Sequence, residues 1–153
     1  NEQWALMGSA MYTRWDTTKD LTLQSSAVPT GIGFGTTTAN VTFPENFSNT
    51  IRVAVGADYT LSDGILLRAG MGYDKTPTND TDRTIRIPDN DRYAIAIGAQ
   101  FGAGSGVKFD VGYTHLFFKK DTVINQVGLL SKSVGTVNSS ANLLGVQMSW
   151  DMA

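Results

Sequence analysis

The stretch TIRVAVGADYTL at positions 50–61 alternates apolar side chains with small or charged ones over its whole length. Because a β-strand sends successive side chains to opposite faces, this pattern predicts a strand with one apolar and one polar face. A tilted strand needs roughly 9–11 residues to cross the hydrocarbon layer of a membrane, whereas strands of soluble proteins are usually about 5–6 residues long. The length therefore favours a membrane-spanning strand over a strand of a soluble β-sandwich.

The same alternation recurs elsewhere, so that about six strands are expected. It is least regular in the first strand, where Met7 and Met11 lie on the face opposite to Trp4, Leu6 and Tyr12. The polar segment 12–23, which follows, could extend this strand beyond the membrane. The predicted strands are residues 3–13, 50–61, 65–74, 91–101, 107–118 and 144–151.

The links between these strands alternate in length. Residues 62–64 and 102–106 form short links, and Asp63-Gly64 is a strong hairpin signal. Residues 24–49, 75–90 and 119–139 form long links rich in Thr, Asn, Ser, Gly and Asp. Outer-membrane barrels have short periplasmic turns and long extracellular loops. The sequence therefore predicts an all-β, antiparallel up-and-down transmembrane β-barrel in the bacterial outer membrane, with residues 1–153 forming one segment of it.

Composition narrows the function. The 153 residues carry a formal net charge of −2, and a chain without a basic surplus is not expected to bind nucleic acid. There is no cysteine, and His115 is the sole histidine, so neither a zinc site nor a usual catalytic triad can be assembled. No pair of carboxylates has the spacing that an enzyme active site would need either. We therefore expect no catalytic residues, no metal site, no cofactor and no enzymatic activity.

The number of strands points to a larger assembly. Known outer-membrane barrels have at least eight strands, and an open sheet would leave unpaired backbone groups that lipid does not tolerate. We expect either that the remaining strands belong to the same protein or that further copies of the segment combine. No export signal begins the sequence, so we also expect the natural chain to start upstream.

Two segments suggest a family. Residues 65–77 read ILLRAGMGYDKTP, and residues 83–92 read RTIRIPDNDR, followed by Tyr93. They resemble the "LRxGxxYDxxP" and "RxxxIPDxDR" motifs of the long-chain fatty acid outer-membrane transporters, the FadL-type family. The segments WALM at 4–7 and YTRW at 12–15 look like an earlier "WxLM…YTxW" strand of the same family. The resemblance extends through nearly the whole chain and makes it similar to the C-terminal portion of that family.

The resemblance implies a fold, a function and partners. The family forms a 14-stranded barrel with an N-terminal plug, so this chain would supply the last six strands. It would be a segment of an outer-membrane channel for uptake of long-chain fatty acids or similar hydrophobic compounds by diffusion through the lumen. Its partners would be membrane lipid, the hydrophobic solute, and the remaining strands and plug. The alternative is a small outer-membrane structural or adhesin-like barrel whose extracellular loops bind partners.

Cations on the polar strand faces are the candidate ligand-binding residues. A lipid-facing Arg or Lys would cost roughly 2–4 kcal/mol at the membrane midplane, so these side chains should point into the lumen. They could pair with carboxylates across strands, or one of them could bind the carboxylate of a fatty acid. The candidates are Arg68, Arg92, Arg52 and Lys108, of which Arg68 and Arg92 are preferred because their strands are adjacent.

A dense charge cluster surrounds Pro88. Its members Arg83, Arg86, Asp89 and Asp91 are candidates for a latch that holds the loop over the lumen, with ligand contact as the alternative. Pro88 restricts Ile87 to extended geometry. The Asp89-Asn90-Asp91 run lacks the spacing and the distal Glu of a calcium-binding EF-hand loop, so no metal is expected there.

Overall fold

The part of the chain that can be described is built from β-strands, turns and loops. The structure is a computed structural model that describes residues 3–29, 36–62, 64–102, 106–127 and 132–150. None of these residues belongs to a helix long and apolar enough to cross a membrane. The strands are β1 (Trp4–Thr13), β2 (Asp20–Pro29), β3 (Thr36–Pro44), β4 (Thr50–Ser62), β5 (Ile65–Asp74), β6 (Arg92–Phe101), β7 (Val107–Phe118), β8 (Thr122–Val127), β9 (Lys132–Val137) and β10 (Ser140–Trp150).

Six of these strands form one antiparallel sheet in the order β1-β4-β5-β6-β7-β10. The predicted up-and-down arrangement is confirmed, because each strand of the sheet pairs with the strand that follows it within the sheet. β1 and β10 lie at the two edges and do not pair with each other, so these six strands leave the barrel open.

The predicted strand bounds agree closely with the structure. Two strands match at both ends, and three differ by one residue at one end. The last strand was predicted to begin at Leu144 but begins at Ser140. The adjacent residues Leu143 and Leu144 interrupt the alternation in the sequence, yet pairing continues beyond them, with Asn142 opposite His115. The turn residue Asp63 lies outside the described residues, as do residues 103–105.

The two faces of the sheet differ in chemistry, as the alternation predicts. On the apolar face, Val55 lies opposite Met71 and Met71 lies opposite Ile95, and each of these side chains is at least half exposed. On the other face, Gly56 lies opposite Gly70, which in turn lies opposite Ala96. We call the apolar face the outer face and the opposite one the inner face. The outer face has the chemistry of a surface that contacts lipid.

The irregular first strand fits the same division. Met7 lies opposite Gly56 and Met11 lies opposite Arg52, so both methionines belong to the inner face. Leu6 lies opposite Ala57 and belongs to the outer face, where it is 80% exposed. The blurred alternation of β1 therefore reflects an inner face that is partly apolar.

Aromatic side chains border both ends of the sheet. Near the short turns, Trp4 packs against Tyr59 with ring centroids 4.6 Å apart, and Phe101 lies opposite Phe109. Near the long links, Tyr73 packs against Tyr93 at 5.1 Å. Membrane barrels place aromatic residues at both membrane–water interfaces, so these two rows mark the expected limits of the apolar band.

The long links contain two hairpins that the sequence reading missed. β2 pairs with β3, and β8 pairs with β9, each as a separate two-stranded sheet. The alternation is nevertheless present: Leu21 lies opposite Phe43, and the Thr22 hydroxyl lies 3.1 Å from that of Thr42. Residues 28–34 of the first long link read VPTGIGF and contain few polar side chains, and residues 30–35 lie outside the described residues.

The suggestion that residues 12–23 extend the first strand is wrong. β1 ends at Thr13, and a turn follows in which Thr18 N donates to Trp15 O at 2.8 Å. The Asn49 side chain accepts hydrogen bonds from the backbone amides of Trp15 and Asp16, at 2.9 and 3.0 Å. These bonds satisfy the amides that a continuing strand would have used, and the next strand begins at Asp20.

Placing a charge on the outer face should destabilise the barrel. Ile97 lies at the middle of β6 and is 61% exposed on the outer face. We predict that Ile97→Arg in the full-length protein lowers the free energy of unfolding in lipid vesicles by roughly 2–4 kcal/mol, because the guanidinium would enter hydrocarbon. The measurement is the denaturant midpoint of barrel unfolding.

The neighbouring residue supplies the control for that experiment. Ala96→Arg places the same side chain on the inner face and should cost much less. Equal losses for the two variants would contradict the assignment of the faces.

Candidate functional site: the inner face and the loop cap

Small residues make up much of the inner face. A concavity of about 500 Å³ opens on it, lined among others by Gly70, Ala96, Gly98, Gly112 and Gly145. At Gly98 strand packing leaves little room for a side chain, because a Cβ atom would lie 3.1 Å from the Val111 carbonyl oxygen. At Gly145 nothing lies within 4 Å of that position. The glycine there leaves space that the strand backbone does not itself require.

The deeper charged group of the inner face centres on Arg68. Its Nη1 atom donates to Asp110 Oδ1 at 2.6 Å, and its Nε atom lies 3.7 Å from Asp58 Oδ2. Gln100 also donates to both oxygens of Asp110, at 2.9 and 3.1 Å. One cation on β5 thus serves two carboxylates, one from the adjacent strand β4 and one from β7, which lies two strands away across β6.

A second group lies at the loop end and centres on Arg92. Its Nη2 and Nε atoms lie 2.7 and 3.1 Å from Asp74 Oδ2, and its Nη1 atom lies 3.3 Å from Asp89 Oδ1. Like Arg68, Arg92 is shared between two carboxylates. The expectation of cross-strand pairing describes both residues, and a ligand-binding role for either one stays a prediction.

The other two candidate cations occupy opposite ends of the sheet. Arg52 lies opposite Met11 and Asp74 on the inner face and is exposed. Its guanidinium makes no ion pair with a carboxylate of the described residues. Lys108 lies opposite Ser149, near the short turn that precedes β7.

The loop between β5 and β6, residues 75–91, contacts both the β2–β3 hairpin and the β8–β9 hairpin. We call this loop and the two hairpins the cap. Arg83 is 3% exposed and donates from Nε to the Asp89 carbonyl oxygen at 2.8 Å. Its Nη1 atom pairs with Asp80 and donates to the Val123 carbonyl oxygen in β8 at 3.3 Å. A buried guanidinium with several acceptors ties this loop to the β8–β9 hairpin.

The same loop also contacts the β2–β3 hairpin. Arg86 Nη2 lies 3.4 Å from Glu45 Oε1, and its guanidinium carbon lies 3.9 Å from the Phe43 ring centroid. Glu45 is 4% exposed. The contact combines a partly buried ion pair with a cation–π interaction, and it couples the second hairpin to the loop.

Two aspartates join the end of the loop to its beginning and to β5. Asp91 accepts from the Tyr73 hydroxyl and from the Thr76 amide, both at 3.0 Å. Asp89 accepts from the Thr76 hydroxyl at 2.8 Å. Arg83, Arg86, Asp89 and Asp91 are therefore all engaged within the cap, and their role as a latch stays a prediction.

Sequence reasoning missed some members of the cap. Glu45 is the one charged residue between Asp20 and Arg52 in the sequence. The Asn90 side chain donates to the Thr122 hydroxyl at 2.8 Å across 32 positions. Isolated polar residues in long links carry no periodic signal, so their pairing could not be read from the chain. The buried side chain of Ile124, 3% exposed, belongs to the cap and is the one buried apolar residue in the described part of the chain.

Within the described ranges, no three His, Asp or Glu side chains converge closely enough to hold a metal ion. What the inner face offers is a surface of small residues, a few apolar side chains and paired charges beneath a hydrogen-bonded cap. Together with the lipid-like outer face, this arrangement is that of the wall of an outer-membrane β-barrel.

Comparison with known proteins identifies the family. Residues 1–152 match the family described as outer membrane protein transport protein (OMPP1/FadL/TodX), and the chain belongs to it. A crystal structure of a Pseudomonas aeruginosa FadL homologue superposes with a TM-score of 0.83 at 31% identity, covering 99% of this chain and 33% of that one. The predicted family and the outer-membrane location are thereby confirmed.

Curated relatives agree with this assignment. A 47 kDa outer membrane protein of Pasteurella multocida is 32% identical over 150 residues, which are 97% of this chain and 31% of that protein. A long-chain fatty acid transport protein of Salmonella typhi is 30% identical over 114 residues, covering 74% of this chain and 24% of that protein. The chain thus spans about a third or less of the length of the relatives it matches.

The Arg83 network gives a ranked prediction. In the full-length protein, Arg83→Ala should increase hydrogen exchange and protease cleavage in residues 75–91 and 122–127, because it removes the hydrogen bonds that Arg83 donates to the Asp89 and Val123 carbonyl oxygens. Arg86→Ala should have a smaller effect, since the Arg86 side chain is 36% exposed and that of Arg83 only 2%. The opposite ranking would contradict the central position of Arg83 in the cap.

The Arg68 group gives a second prediction. Arg68→Met should lower the free energy of unfolding of the full-length barrel by roughly 1–2 kcal/mol, because two partly buried carboxylates would lose their cation. Arg68→Met combined with Asp110→Asn should recover part of this loss. Denaturant unfolding of the single and double variants measures the difference, and additive losses would show that the pair is not coupled.

Proposed function

We propose that this chain forms the last six strands of an outer-membrane channel that takes up long-chain fatty acids or similar hydrophobic compounds by diffusion through the barrel lumen. The observation that carries the proposal is the inner face, which combines small residues with the apolar side chains of Met7 and Met11 around open concavities. Such a surface lets an acyl chain lie along the wall without tight packing. The proposal is further supported by relatives that are described as long-chain fatty acid transport proteins.

The channel would require the rest of the protein. The free edges of β1 and β10 would pair with the remaining strands of the same chain, because unpaired backbone groups in lipid cost several kcal/mol each. In the family that this chain belongs to, an N-terminal plug would fill part of the lumen. The extracellular hairpins and their connecting loop would form the outer rim, with Arg83 and Arg86 holding the loop in position.

Blocking the inner face should test the proposal. The full-length protein would be expressed in bacteria that lack their own long-chain fatty acid transporter, and uptake of a radiolabelled fatty acid would be measured. The double variant Gly112→Trp, Gly145→Trp should reduce uptake severalfold, because the two residues are adjacent on the inner face and leave open space. Surface labelling would confirm equal amounts of folded protein.

The control places the same bulk on the other face. Val111 and Val146 are cross-strand neighbours exposed on the outer face, so Val111→Trp, Val146→Trp should leave uptake unchanged. Absence of uptake by the wild-type protein, or equal uptake by both double variants, would count against a solute path along this wall.

A further inference from the structure

We infer that Arg52 is the residue of this wall that recognises the anionic head of an amphiphilic solute, in a cavity at the loop end of the inner face. This inference rests on the proposed channel function and names one substrate-selecting residue for it. The sequence favoured Arg68 and Arg92 for this role, but the geometry points to Arg52.

The three arginines differ in their carboxylate partners. Arg68 and Arg92 each already have two carboxylates within 4 Å. An incoming carboxylate would have to compete with those fixed partners for the guanidinium donors. The Arg52 guanidinium has neither an ion pair nor a hydrogen bond to any residue of the described ranges, although Asp74 lies across from it in the sheet. Asp74 is instead bonded to Arg92 at 2.7 and 3.1 Å.

Arg52 lies in a cavity whose lining is positively charged. It measures about 290 Å³, and its lining carries three cations and two carboxylates, so that its formal net charge is +1. One bound carboxylate would neutralise it, and a guanidinium can bind a carboxylate through two parallel hydrogen bonds. The charged lining residues are Arg52, Lys75, Arg92, Asp74 and Asp89.

An apolar surface lies beside these charges. Met11, Trp15 and Pro77 line the same cavity. A second cavity of about 260 Å³ shares Arg52, Asp74 and Arg92 with the first and continues over Ala94, Ala96 and Leu116. An acyl chain whose head contacts Arg52 would therefore find a continuous path over small and apolar residues.

The deeper concavity has the opposite charge. Its lining contains Arg68 as the one cation and both Asp58 and Asp110, so its formal net charge is −1 among the described lining residues. An anion is less favourable there than at the loop end. The difference in sign assigns the head group to Arg52 rather than to Arg68.

A comparison of two ligands separates recognition of the head from recognition of the chain. Binding of radiolabelled hexadecanoic acid and of hexadecanol would be measured at neutral pH, with the full-length protein in lipid nanodiscs. Arg52→Gln should weaken binding of the acid about tenfold, the loss expected for one charge-assisted interaction in a partly solvated site. Binding of the alcohol should stay unchanged, and Arg52→Lys should retain most of the affinity for the acid.

The control removes the same charge outside the cavity. Arg14 lies just beyond β1, is 70% exposed and faces Asp16 at 3.7 Å, so Arg14→Gln should leave both affinities unchanged. If Arg52→Gln leaves the acid unaffected, or weakens acid and alcohol equally, the role of Arg52 is refuted while the channel function stands. If the wild-type protein binds neither compound, the proposed function fails together with this inference.

Discussion

Every backbone amide and carbonyl of a strand that crosses hydrocarbon must find a partner within the protein. Lipid offers no hydrogen bonds, and each unsatisfied group costs several kcal/mol. In this chain the continuous ladders that join β1, β4, β5, β6, β7 and β10 meet the constraint everywhere except at the outer edges of β1 and β10. The sheet needs no hydrophobic core between layers, and its apolar side chains are exposed on the outer face instead. The remaining features of the structure follow from this arrangement.

Charged side chains of the main sheet are excluded from the outer face and concentrated on the inner one. The charged residues of the strands gather on the inner face, where Arg68 and Arg92 each join two carboxylates. Small residues on the same face leave space beside these groups. The cap packs around Arg83 rather than around apolar side chains, because polar partners within the cap surround the Arg83 guanidinium.

Much of the main sheet could be predicted from the sequence, whereas the cap could not. Alternation along residues 65–74 and 107–118 determines both strand bounds and faces. A slip of register by one residue would turn every apolar side chain away from the lipid. The hairpins of β2–β3 and β8–β9 do not belong to the main sheet, so their side chains can mix polar and apolar types. Arg68 could be placed on the inner face, but its double pairing with Asp58 and Asp110 depends on the register of the four strands β4, β5, β6 and β7. Arg52 lies on the same face but has no carboxylate partner among the described residues, which the spacing of residues cannot reveal.

The central claim is that the inner face of this sheet lines the path of a hydrophobic solute. Single cysteines at Ala54 and Val55, neighbours on β4 that belong to opposite faces, test it most directly in the full-length protein. With a charged maleimide added to intact cells, the account predicts labelling of Ala54→Cys that slows when a long-chain fatty acid is present. It predicts no labelling of Val55→Cys. Labelling of Val55→Cys alone, or labelling of Ala54→Cys that the fatty acid leaves unchanged, would contradict it.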